Sequence, residues 1–104
     1  MLNHSAIQNS EVHTLSLQGP LNADVMDDIR DLFDEIVFQV KEDIVIDLSH
    51  VSKLDSSGVG ALVFLFKRLK SANRNLRIIG VTGQPEAIIR LLRMEKTIET
   101  EFLN

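Results

Sequence analysis

Apolar and polar positions follow two rhythms along this chain, and the rhythms predict most of its elements. Residues 12–17 alternate with period two. Val12, Thr14 and Ser16 then share one face of a strand, and His13, Leu15 and Leu17 the other. A weaker strand candidate, Ala6-Ile7-Gln8, precedes it across a turn read at Asn9-Ser10. The two are expected to form an antiparallel, partly exposed pair. Gly19-Pro20 is expected to end the second strand. From about 23 to 40 the period lengthens. Val25, Ile29, Leu32 and Ile36 recur at helical spacing, as do Met26, Phe33 and Val37, with acids on the opposite face. Asn22 or Asp24 is placed to cap that helix.

The stretch 43–48, Asp-Ile-Val-Ile-Asp-Leu, is rich in β-branched residues and reads as a buried central strand. Residues 50–53 read as a loop. Leu54-Asp55-Ser56-Ser57-Gly58-Val59-Gly60 follows, and then a strongly apolar helix over about 57–72. Leu62, Leu65, Phe66 and Leu69 form the core stripe of that helix. Gly60, Phe64, Lys67 and Arg68 lie away from it. Residues 73–75 are a turn and 76–81 another strand. Thr82-Gly83-Gln84-Pro85 opens a short helix with Ile88, Leu91 and Leu92 on its apolar face, Pro85 being acceptable in a first turn. Residues 97–102 fit either a last strand or a last helix. The resulting order is β-β-α-β-α-β-α with the C-terminal element left open. Two strand–helix–strand crossovers imply parallel pairings.

The turn 54–60 is where chemistry concentrates. It joins a strand to a helix whose first N–H groups lack intrahelical partners and whose dipole is positive there. A hydroxyl in that place serves as a cap. It is equally a place where added negative charge is tolerated, so it suits phosphorylation. A helix starting near Ser57 puts residues 60, 64 and 67 along one side. Gly58, Gly60, Phe64 and Lys67 are therefore expected to share a face with Ser56, with Phe64 as a candidate partner contact.

Composition narrows the classes. A chain of 104 residues, 44% apolar, makes one domain, 1–104. It has no cysteine, which excludes disulfide scaffolds and thiolate chemistry. No apolar run is long enough to span a membrane. The start, Met1 to Ser5, lacks the features of a signal peptide, so a cytoplasmic location is expected. The net charge of −4 conceals an asymmetry. Residues 1–50 carry ten acids and two bases, for −8; residues 51–104 carry five acids and nine bases, for +4. Acids gather at Asp24, Asp27, Asp28, Asp31, Asp34 and Glu35, and bases at Lys67, Arg68, Lys70, Arg74 and Arg77. Such blocks are solvated helix faces first.

The run Ile44-Val45-Ile46-Asp47-Leu48, followed by Leu54-Asp55-Ser56-Ser57-Gly58-Val59-Gly60-Ala61-Leu62, resembles the signature of the STAS family, in particular its anti-sigma factor antagonists. The resemblance extends from about Val12 to Leu92. It implies an α/β fold, a single domain with a mixed sheet and helices packed largely on one side. It also implies a non-catalytic regulator of bacterial partner switching, phosphorylated on the serine after the aspartate, here Ser56, with Asp55 and Ser57 flanking it. The implied partners are a GHKL-type serine kinase or anti-sigma-like regulator, which uses ATP and Mg²⁺, and a PP2C-type phosphatase. Other members of the family are accessory subunits of membrane lipid-transport ATPase complexes, which is the alternative role.

Other chemistries are poorly supported by the residues. His4, His13 and His50 have no metal-binding spacing. Asp47 and Asp55 could lie near one sheet end as paired carboxylates, but Asp47 falls inside a strand and no third ligand is evident. Ser56 lacks a nucleophile elbow and a base. Gly58 and Gly60 lack the lysine of a phosphate loop. The basic run 67–77 lacks interleaved aromatics, so nucleic acid is not an expected partner. The stripe of 57–72 is needed for the core, which argues against direct membrane insertion.

Overall fold

A computed structural model describes residues 2–8 and 12–103. The predicted turn at Asn9-Ser10 lies outside the described residues. Five strands form one sheet in the order β1-β2-β3-β4-β5: Asn3–Gln8, Val12–Leu21, Asp43–Leu54, Leu76–Val81 and Glu99–Phe102. The helices are α1 (Met26–Gln39), α2 (Ser56–Ser71) and α3 (Gly83–Leu91). Strands β1 and β2 are antiparallel and partly exposed, as the alternation predicts. The pairs β2/β3, β3/β4 and β4/β5 are parallel, one more crossover than the pattern revealed.

The helices feed a single core. Ile29, Phe33 and Ile36 of α1, Leu62, Leu65 and Leu69 of α2 and Ile89 of α3 meet Leu15, Leu17, Ile44, Ile46, Leu48 and Ile78 of the sheet. The predicted stripes of α1 and α2 face the core as expected, with Val25, Met26, Leu32, Val37 and Phe66 only partly buried. On α3 the expected face is wrong, since Ile89 is the buried residue while Ile88 is partly buried and Leu91 and Leu92 are exposed. Asn22 caps the entry to α1, its Oδ1 accepting from the Asp24 N–H at 3.0 Å across a short 3-10 turn, Ala23–Val25.

Several boundaries differ from the sequence expectation. Gly19-Pro20 does not end β2, which runs on to Leu21. The pairing with β3 slips between Ser16 and Gln18 and again between Gln18 and Pro20. Such irregularities admit a proline, which has no N–H to give, and Gly19 supplies a φ of +85° that other residues resist. Residues 50–53 are not a loop. They continue β3, with His50, Lys53 and Leu54 opposite Gln18, Pro20 and Leu21. Val51 and Leu54 are buried while His50, Ser52 and Lys53 face solvent, so the extension earns its place by apolar burial. The first strand is longer than residues 6–8 and begins at Asn3. The open C-terminal element is a strand: a 3-10 turn at Met94–Lys96 leads to buried Ile98 and then β5. Arg77 on β4 pairs with Glu99 and Glu101 on β5.

Candidate functional site

The turn at the head of α2 is capped by its carboxylate. Asp55 is extended (φ −97°, ψ −174°), and its Oδ1 accepts from the Gly58 N–H at 3.0 Å. The serines are therefore not the cap. Ser56 is the first helical residue and is exposed. Its hydroxyl enters no hydrogen bond among the described residues. Ser57 is half-buried and lines a groove of about 350 Å³ between α1 and α2, with Met26, Ile29, Phe33, Ala61 and Phe64.

Gly60, Phe64 and Lys67 are exposed along one side of α2, as its period predicts, and Phe64 retains 61% of its surface. Gly58 departs from that face. It is buried, and a Cβ there would stand 2.6 Å from Leu54 Cδ1 and 2.7 Å from the Leu21 carbonyl oxygen. Its part is to let α2 approach the ends of β2 and β3 closely. Arg68, also off the core stripe, pairs with Asp34 of α1 at 2.6 Å. Its guanidinium lies 5.5 Å from the ring centres of both Phe38 and Phe64, within cation–π reach.

The turn is pinned to the sheet from two sides. The Asp55 N–H donates to the Leu21 carbonyl at 3.3 Å. From α3, Gln84 Oε1 accepts from the Leu54 N–H at 2.8 Å and Gln84 Nε2 donates to the Leu54 carbonyl at 3.0 Å. In the sequence Gln84 reads only as part of a helix start. No local signal marks a polar residue whose partner lies 30 positions earlier.

Asp47 does not join Asp55. Its carboxylate accepts from the Ser49 N–H at 2.9 Å and the Ser16 hydroxyl at 3.3 Å. Both residues belong to one continuous extended run, which separates them by roughly 20 Å or more. No group of His, Asp and Glu that could hold a metal occurs among the described residues. The basic block is dispersed. Arg68 and Arg77 are ion-paired, Arg74 is buried, and Lys67 and Lys70 remain exposed. No helix among the described residues is long and apolar enough to cross a membrane.

A parallel-cored sheet whose central strand delivers an exposed serine onto a carboxylate-capped helix defines a class of domain, and comparison with known proteins names it. The chain belongs to the STAS domain family, whose model matches residues 3–103, well beyond the stretch carrying the motif. It is 37% identical over 65 residues to the anti-sigma-B factor antagonist of Listeria monocytogenes, covering 61% of this chain. That match spans only 57% of the relative's own length. It is 31% identical over 81 residues to the intermembrane phospholipid transport system binding protein MlaB of Escherichia coli, covering 78% of this chain and 80% of MlaB. The crystal structure of an anti-sigma factor antagonist from Mycobacterium paratuberculosis shares the fold, with a TM-score of 0.87 at 19% identity over 97% of this chain and 86% of that one.

Proposed function

We propose that this STAS domain is a non-catalytic binding protein whose partner affinity is switched by reversible phosphorylation of Ser56. The observation that carries the reading is the division of labour in the turn. Asp55 takes the cap bond, and Ser56 is left exposed with a free hydroxyl at a helix start. No base is bonded to that hydroxyl among the described residues, so for the Ser56 oxygen to attack the γ-phosphate of ATP and release ADP, the base that takes its proton must come from the kinase. The likeness to anti-sigma factor antagonists supports the same reading. In it, a GHKL-type serine kinase or anti-sigma-like regulator binds the unmodified turn and transfers phosphate from ATP with Mg²⁺. A PP2C-type phosphatase restores the turn. Gly60, Phe64 and Lys67 extend the contact along α2, while Asp55, Ser57 and Gly58 shape the turn.

Phosphate adds roughly −1.5 to −2 charges at neutral pH. The positive helix end favours that charge and the neighbouring Asp55 carboxylate opposes it, so the fold is expected to survive. Binding is lost because the hydrated phosphate must be stripped of water within the interface. Incubation with the source organism's lysate, ATP and Mg²⁺, followed by phosphopeptide mapping, should find the modification on Ser56 and none at that peptide in Ser56→Ala. Phosphate confined to Ser57 would reject the assignment. The MlaB likeness favours a second reading, an accessory subunit of a membrane lipid-transport ATPase complex. Affinity capture with mass spectrometry separates the two: a kinase and phosphatase in the first case, ATPase subunits in the second.

A further inference from the structure

The ladder between β3 and β4 closes at Asp47 and Ile79, yet β3 runs on to Leu54. Over that extension β3 pairs with β2 on one side, and the β4 side has no ladder partner among the described residues. Unpaired strand groups are a weak point of any sheet. At Leu54, immediately before the serine turn, a side chain fills the gap. A glutamine amide carries the same donor and acceptor as a peptide group. Gln84 presents both to Leu54, at 2.8 and 3.0 Å, and so extends the ladder by one residue of substitute backbone. The start of α3 aims it there. Gly83 turns the chain with φ +65°, and the buried Pro85 anchors the next residue. The Asp55 bond to Leu21 on the other side is longer, at 3.3 Å.

We infer that Gln84 is the positioning residue of the serine turn. It fixes the exit of β3 and hence the direction in which Asp55 and Ser56 leave the sheet. The positioning stands on the geometry; its consequence for phosphorylation rests on the function proposed for Ser56. Gln84→Met keeps the length of the side chain and removes both bonds. Gln84→Glu keeps the acceptor and loses the donor.

Hydrogen exchange on the full ¹⁵N-labelled chain tests the placement. In Gln84→Met the Leu54 amide should exchange about tenfold faster, and the Gly58 amide bonded to Asp55 should also speed up. The Ile46 and Ile78 amides should not change. Gln84→Glu should retain protection at Leu54. The same proteins, incubated in lysate with ATP and Mg²⁺, should show Ser56 modified at least threefold more slowly in Gln84→Met. Unchanged Leu54 and Gly58 exchange in Gln84→Met would overturn the inference. So would a uniform rise that includes Ile46 and Ile78, or equal Leu54 exchange in the two variants. Undiminished Ser56 modification despite a loosened turn would overturn its functional consequence. Absence of phosphate from wild-type Ser56 would reject the proposed function, and the exchange data alone would then decide on Gln84.

Discussion

Gly58 and Gly60 lie two positions apart in α2 and answer to different constraints. Below Gly58 the nearest obstacles are the Leu54 side chain and the Leu21 carbonyl, and a carbonyl fixed in a strand has little room to yield. Gly58→Ala is therefore expected to destabilise the protein by about 1–3 kcal/mol through overpacking. Nothing lies within 4 Å of the Cβ position at Gly60. Gly60→Ala should stabilise the helix by about 0.5–1 kcal/mol, since glycine pays only an entropic penalty there. Urea denaturation of the two variants should give opposite signs, and two losses of similar size would refute the distinction. Phe64 poses the converse case, a large apolar side chain mostly in solvent. Phe64→Ala should leave the melting temperature close to wild type and weaken the captured partner by about 1–3 kcal/mol in a calorimetric titration. A large loss of stability with no binding-specific loss would make Phe64 part of the core. Both glycines and Phe64 were legible as motif residues. Helical period put Gly60 and Phe64 on the outward side; the burial of Gly58 was not legible, because it depends on where β2 ends.

At the scale of elements, the end of α1 is held from outside. Its chain leaves through extended Val40, and no glycine or asparagine follows to turn back onto the last carbonyls. Arg74, from the turn after α2, donates to the Ile36 and Val37 carbonyls at 3.3 and 3.2 Å. It also donates twice to Glu42 O, at 3.0 and 2.9 Å. Burial pushes the guanidinium below its ordinary pKa, while Asp43 and Glu42 pull it back up. The end of α2 places it. Asn73 adopts φ 56°, and the Arg74 N–H returns to the Leu69 carbonyl at 2.9 Å. Arg74→Met should cost about 2–4 kcal/mol by chemical denaturation, because buried carbonyls lose charged donors. Arg74→Lys should recover only part of it, having no planar fork to reach several oxygens at once. Full recovery by lysine would show that charge alone matters. In sequence Arg74 looked like one of several surface bases; its burial follows from α1 and α2 packing side by side.

For the whole molecule, the parallel centre of the sheet sends α2 off from the end of its longest strand, β3. The serine turn is clamped there by Leu21 on one side and Gln84 on the other. A charge added at Ser56 acts on the surface of a turn the rest of the fold already holds. Ser56→Asp is accordingly expected to melt within a few degrees of wild type while losing most of its affinity for the partner that Ser56→Ala binds. Ser56→Asp and Ser56→Ala binding that partner equally, with both folded, would mean that Ser56 is not the switch.

The sequence by itself determined what depends on local geometry. Helical period placed α1 and α2 and their buried stripes. The β-branched run at 44–46 marked the central strand, and the Asp55-to-Gly60 pattern marked the turn and the residues on it. Tertiary structure decided what depends on partners distant in the chain. Residues 18–21 and 50–54 look like turn and loop until they pair with each other. Strand β5 gains its hydrogen bonds only by lying beside β4. Gly58 is buried because β2 and β3 end beneath it, and Gln84 and Arg74 take their roles from backbone groups 30 or more positions away. A residue's own preferences set its dihedral angles and which face is apolar. They do not specify which unpaired N–H or carbonyl will lie opposite once the helices have covered the sheet.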